Sequence, residues 1–173
     1  MNTTPRDPFD GIDGGVDLAL TSEDFADGQK LPLESTAEFV GKGGKDVSPQ
    51  LSWGEVPEGT KSIMITCYDP DAPTQAGWWH WTVVNLPADL RSLARGASVD
   101  LPAGATTLKH DGGGAGYLGS APPEGHGPHR YFFAVHALDI EIEADADTSP
   151  INANFQAFGH VIGRGVLVGI WEN

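Results

Sequence analysis

Residues able to bind or move protons and anions sit at short spacing in three stretches of this chain: Asp69 and Asp71, His80, and His129 with Tyr131. His and Tyr supply donors for an oxyanion, and a carboxylate beside an imidazole favours its charged form. His129 and Tyr131 are two residues apart, so an extended backbone points them to one side and Arg130 to the other. Asp69 and Asp71 belong to Asp69-Pro70-Asp71-Ala72-Pro73. The prolines there fix φ and donate no ladder bond, which makes a stiff loop that carries carboxylates. If the three stretches meet at their ends, Asp69, His80, His129 and Tyr131 line one cavity able to hold a phosphate or a carboxylate. Each residue also has a plain structural role. Asp commonly bonds its own backbone in turns, a His beside Trp packs in a core, and Arg130 is suited to an ion pair with an acidic loop residue.

Other chemistries fit less well. Zinc needs His, Cys or carboxylates at tight spacing; His126-x-x-His129 with His80 and Asp69 is the one combination that could converge, and no metal is expected. No Gly-x-Ser-x-Gly elbow or activated-cysteine signature occurs, and Cys67 lies within an apolar stretch where a thiol is inert. Gly114 to Gly119 formally matches a dinucleotide fingerprint, but that mechanism requires a strand before it and a helix after it. Asp111-Gly112-Gly113 and Pro122-Pro123 stand there instead. Neither cofactor nor catalytic residue is expected.

Strands must position these residues. Lys61 to Tyr68 alternates Ile63, Ile65 and Cys67 with Met64, Thr66 and Tyr68, apolar on both sides as in a central strand. Trp79 to Leu86 places His80, Thr82 and Val84 on one face and Trp81 and Val83 on the other. Arg130 to Leu138 is the third strong strand. Asp17–Thr21 and Thr36–Gly41 are weaker candidates. The glycine- and proline-rich run 88–128 is long enough to be functional. Ser149-Pro150 starts a short helix whose apolar face is Phe155, Phe158 and Ile162. Gly163 and Gly165 stop it before a last strand, Val166 to Trp171. The fold class this predicts is mostly β, an antiparallel β-sandwich with one or two short peripheral helices. The expected organisation is a flexible arm over 1–15 and a single domain over 16–173.

Composition narrows the partners. Among 173 residues, 39% are hydrophobic, with 23 glycines and 13 prolines that disfavour a helical bundle. A net charge of −14 lacks the basic footprint that nucleic acids need and opposes stable docking on anionic membranes. An anionic ligand therefore requires a sharply local site. One cysteine, a polar N-terminus and no apolar run of membrane-spanning length lead to a cytoplasmic expectation.

Three segments together resemble the phosphatidylethanolamine-binding proteins, in particular their bacterial Raf kinase inhibitor-like branch. They are Asp69-Pro70-Asp71-Ala72-Pro73; Trp78-Trp79-His80-Trp81 with Val83-Val84-Asn85; and Tyr117 through Tyr131, containing Pro122-Pro123-Glu124-Gly125-His126-Gly127-Pro128-His129-Arg130. The resemblance runs from about Asp17 to Trp171. It implies a β-sandwich with a pocket for phosphate, phosphorylethanolamine or a carboxylate. Asp69 and His80 would be its polar anchors, and His129 and Tyr131 its donors. Pro73, Trp78 and Pro123 would form the walls, and Gly119 and Ala121 the mouth, while Asp71 and Arg130 would support the loops. Ala121 stands where many members have glycine, adding a methyl at the mouth. The chain ends soon after its last strand, so the C-terminal helix of animal members is not expected. The resemblance also implies a homodimer, and offers an alternative function: a regulator of a protein partner, kinase or protease inhibitor-like, whose pocket only modulates the interface.

Overall fold

The computed structural model describes residues 6–145 and 147–173. Its centre is β4 (Ser62–Asp69), buried on both faces along most of its length. It pairs antiparallel with β5 (Trp78–Pro87) and with β8 (His129–Leu138). Beyond β8 runs β9 (Val161–Trp171), also antiparallel, and β9 carries two short parallel partners, β1 (Val16–Asp17) and β2 (Gln29–Lys30). On the other side β5 pairs with β7 (Thr106–Thr107), so the sheet reads β1-β9-β8-β4-β5-β7. The opposing layer is a two-stranded sheet, β3 (Leu51–Ser52) with β6 (Ser92–Leu93), together with coil. Among the described residues the architecture is mostly β with one α-helix, as the alternating apolar stretches predict.

Two cores flank the central sheet. Ile63, Ile65, Cys67, Trp81, Val83, Phe133 and Val135 face Leu18, Leu20, Leu51 and Leu93 of the covering layer. Met64, Val84, Leu108 and Leu138 pack under Ala153 and Ala157 of α1 (Pro150–Ala157). In β9 the inward positions Gly163, Gly165 and Gly169 are left without side chains. An added Cβ would come within 2.9 Å of Leu18, 2.9 Å of Leu20 and 2.3 Å of Leu31. Close approach of the covering segment thus demands glycine there.

Several local expectations are corrected. The strand expected at Thr36–Gly41 is a pair of 3-10 turns, Leu33–Ser35 and Glu38–Val40, ended by Gly41 in the left-handed region; only Thr36 finds a bridge, to Ser120. Gly163 and Gly165 do not stop the helix; they lie inside β9, which begins at Val161. The helix does not bury its phenylalanines. Pro150, Ala153 and Ala157 face the sheet, while Phe155 is 79% and Phe158 75% exposed. Small side chains let α1 lie close to the sheet, and the phenylalanines fall on the outer side. Ser149 caps the helix as its type predicts, accepting from the Asn152 N–H at 3.1 Å.

Of the arm expected over 1–15, residues 1–5 lie outside the described part. Residues 6–13 lie along the α1 side of the sheet: Phe9 meets Phe132 and His136, and Arg130 and Arg164 donate to the carbonyls of Arg6 and Ile12. Within 88–128 the chain forms β6, a 3-10 turn at Ala97–Val99 and β7. Among the described residues no helix is long and apolar enough to cross a membrane.

Candidate functional site

The site forms where the C-terminal end of β4 and the N-terminal ends of β5 and β8 meet. Strand alternation alone would set His80 with Thr82 and Val84, away from Asp69. The ladder shows why it is otherwise. Cys67 pairs with Trp81 and Tyr68 with Trp79, so His80 is an extra residue opposite the Cys67–Tyr68 step. Such a bulge bends the strand and re-aims a side chain. His80 lies edge-on to Tyr131, with ring centroids 5.1 Å apart, on the face that also carries Asp69.

A cavity of about 400 Å3 opens there, within the size range of small-ligand sites. Asp69, Pro73, Trp78, His80, Ala121, Pro123, His129 and Tyr131 all line it. Gly119 does not; it packs against the backbone of Thr36 and Ala37, and its N–H donates to Asp46 at 2.7 Å. Phe39, Ala72, Thr74, His110, Gly112 and Leu118 complete the wall. His110 carried no local signal in the sequence, because its turn is carried to the cavity by bonds between Asp111 and Trp79, 32 residues apart.

The bonding state of each polar group follows from its partners. His80 Nδ1 lies 2.9 Å from the Leu118 carbonyl, which only accepts, so Nδ1 carries the proton and Nε2 keeps its lone pair. Burial depresses the His80 pKa to about 4, leaving the ring neutral at pH 7. Asp69 is 2% exposed. Burial raises its pKa, against the opposing pull of His129 and of the Asp71 N–H that donates to it. His129 Nδ1 is 2.7 Å from Asp69 Oδ2, and His129 Nε2 is 2.7 Å from Nδ1 of the exposed His126. Both ring nitrogens of His129 are therefore engaged by protein. The donor role expected of His129 is not open to it in this arrangement, and its place is that of a brace for Asp69.

Tyr131 differs from all of these. It is 1% exposed and its hydroxyl has no hydrogen-bond partner; the backbone of Ala121 approaches without closing a bond. Burial, then the charge of Asp69, push its pKa up, so it remains a neutral donor. No Lys or Arg lines the cavity among the described residues. The site thus offers a hydroxyl donor beside two acceptors, the Asp69 carboxylate and His80 Nε2.

The loops are held from behind. Arg130 grips Asp71 through Nε at 2.8 Å and Nη2 at 2.8 Å, and its backbone N–H adds a third bond at 3.0 Å. Burial disfavours the Asp71 carboxylate, but this bidentate grip outweighs it and lowers the pKa. Among the described residues no three His, Cys, Asp or Glu gather as a metal site would need.

Known proteins resemble this chain in sequence and in fold. The family profile described as phosphatidylethanolamine-binding protein matches residues 21–172. The UPF0098 protein YbhB of Escherichia coli is 46% identical over 159 residues, covering 90% of this chain and all of that one. The crystal structure of E. coli YbcL, described as a new member of the mammalian PEBP family, superposes with a TM-score of 0.86 at 38% identity. It covers 90% of this chain and 98% of its own. A putative PEBP homologue from Chlamydia trachomatis superposes at 0.77 with 30% identity, over 93% of this chain and 99% of its own. Matched along nearly its whole sequence and fold, this chain belongs to the phosphatidylethanolamine-binding protein family.

Proposed function

We propose that this chain is a small-ligand-binding protein with a regulatory role, whose pocket takes a phosphate- or carboxylate-bearing headgroup and does not transform it. One observation carries this reading: the Tyr131 hydroxyl, buried and unpartnered, at the cavity. Leaving a buried hydroxyl unpaired costs about 1–3 kcal/mol, and a ligand oxygen removes that cost. Asp69 and His80 Nε2 then accept hydrogen bonds from the N–H or O–H groups that the ligand brings, on the ammonium of phosphorylethanolamine or on a P–OH. Such a mixed set suits a zwitterion or a protonated oxyacid better than a bare dianion, which would call for an Arg or Lys beside it.

Binding without turnover is supported by the ends of the bonded chain. Asp69, His129 and His126 are linked as in a proton relay, but the relay ends at an exposed imidazole and reaches no hydroxyl or thiol. Cys67 is fully buried and burial pushes its pKa well up. Calorimetric titration of the protein with phosphorylethanolamine tests the reading: saturable heat is expected, weakened at least about tenfold by Tyr131→Phe, with the ligand recovered chemically intact. Absence of saturable heat in the parent protein, or turnover of the ligand, would sink it.

A protein-partner reading has one observation of its own. Ile151, Phe155 and Phe158 stand 61%, 79% and 75% exposed around α1, at helical spacing along one side. Exposed apolar clusters of this kind mark interaction surfaces. Sedimentation of the parent and of Phe155→Ser tests whether that surface joins two copies; a monomer in both leaves self-association out.

A further inference from the structure

A second cavity, of about 490 Å3, lies on the opposite face of the central sheet. Met64 and His136 form its floor, the arm residues Phe9 and Ile12 one wall, and Phe158 beyond α1 another. Arg164 of β9 enters it. Its Nε donates to His136 Nδ1 at 3.2 Å and its Nη1 to the Ile12 carbonyl at 3.2 Å, while Phe9 lies under the guanidinium, 4.8 Å from ring centroid to Cζ. An arginine Nε only donates, so His136 Nδ1 accepts. His136 Nε2 then carries the ring proton, 3.1 Å from Thr66 Oγ1.

Arg164 is therefore held in place by neutral groups. Nη2 makes no hydrogen bond to protein among the described residues, and no carboxylate lies within ion-pair distance. Asp13 lines the same cavity without reaching it. This occurs in a chain with 24 acidic residues against 10 Lys and Arg, where an acidic partner for a purely structural arginine would be easy to place. A partly buried guanidinium in apolar surroundings is stabilised by an anion that can meet its fork.

We propose that this cavity is a second ligand site, for a carboxylate joined to an aryl or short alkyl body, with Arg164 as the anchor and Phe9, Met64 and Phe158 as the apolar walls. The carboxylate takes the free edge of the guanidinium, and the volume matches a ligand of about drug size. Burial, then the charge of Arg164, hold the pKa of His136 down at about 3. The imidazole thus positions the arginine without adding a second charge. The pocket at Tyr131 lies on the other side of the sheet, and the loop after β4 borders both cavities, with Thr74 lining each.

The test uses 2-naphthoate as probe, by calorimetry and by the fluorescence of Trp79, which also lines the cavity. The expected result is saturable binding, weakened at least about tenfold by Arg164→Met and weakened less by Arg164→Lys. The neutral 2-naphthalenemethanol should bind at least about tenfold less well than 2-naphthoate. Phe158→Ser, at an exposed position, should weaken naphthoate without touching the fold, which keeps the test decisive if Arg164→Met loosens the arm. Tyr131→Phe should leave naphthoate binding unchanged, which separates this site from the pocket. No saturable binding, equal binding of the neutral analogue, or equal binding by Arg164→Met would each overturn the proposal. So would self-association that depends on Phe158 and occurs without naphthoate binding, since the cavity would then be the seat of a second copy.

Discussion

Replacing Tyr131 with Phe should make the protein more stable and a poorer binder at once. The ring stays in place: Tyr131 is 1% exposed, and the substitution removes only a hydroxyl that has no hydrogen-bond partner. A buried unpaired hydroxyl costs about 1–3 kcal/mol, and losing a hydrogen bond to a charged ligand costs about 1.5–3 kcal/mol. We therefore expect a stability gain of about 1 kcal/mol, a rise of roughly 2–4 °C in Tm for a domain of this size. Affinity for phosphorylethanolamine should fall about ten- to a hundredfold. Urea titration followed by tryptophan fluorescence gives the first number and calorimetry the second. A loss of more than about 1 kcal/mol would mean that the hydroxyl is already bonded in the free protein and not waiting for a ligand. A stability gain with unchanged affinity would refute the donor role.

Further predictions concern acid, the loops and the close approach at Gly119. Burial lowers the pKa values of His80 and His136, to about 4 and about 3. The unfolded chain takes up these protons as pH falls through about 6.5 while the folded protein does not. Their contribution is thus complete above pH 6.5 and is lost as pH falls toward 4 for His80 and 3 for His136, about 3 kcal/mol for His80 alone. Asp69, with its raised pKa, works with the opposite sign and offsets part of the loss. Urea midpoints measured from pH 7 to pH 4 should fall steadily, and a flat profile would contradict the buried neutral imidazoles. Arg130→Lys keeps the charge but loses the fork on Asp71; about 1–2 kcal/mol of stability should go with it, with weaker ligand binding as the 69–73 loop loosens, both measured by the same two assays. Gly119→Ala would set a Cβ 2.2 Å from the Thr36 carbonyl carbon and 2.4 Å from Ala37 N; thermal melts should show a loss of roughly 3 kcal/mol or more.

Much of the fold was readable wherever local pattern and burial coincide. β4, β5 and β8 are evident because Val, Ile and aromatics fill both faces, and the Asp-Pro-Asp loop is evident because its prolines act locally. The face of His80 was not readable. Period-two alternation fails at a bulge, and the bulge is defined by pairing with Cys67 and Tyr68, more than ten residues earlier in the chain. The helix misled for a related reason: hydrophobicity pointed to Phe155 and Phe158, whereas the distance to the sheet selected Ala153 and Ala157. Thr36–Gly41 looked extended, but 3-10 turns on both sides of Thr36 and Ala37 leave only Thr36 in a bridge. The arrival of His110, set by the bonds between Asp111 and Trp79, and the seat of Arg164 depend on long-range placement, which residue type and spacing do not encode.

Everything proposed for the pocket turns on Tyr131 meeting a ligand oxygen beside Asp69 and His80. The most direct measurement is a crystal structure of the protein with phosphorylethanolamine. The headgroup is expected in the cavity at the β4, β5 and β8 ends, with a phosphate oxygen within hydrogen-bond reach of Tyr131 Oη and the ammonium or a P–OH toward Asp69 and His80 Nε2. A ligand bound elsewhere, or one whose oxygens leave the Tyr131 hydroxyl unpaired, would contradict it.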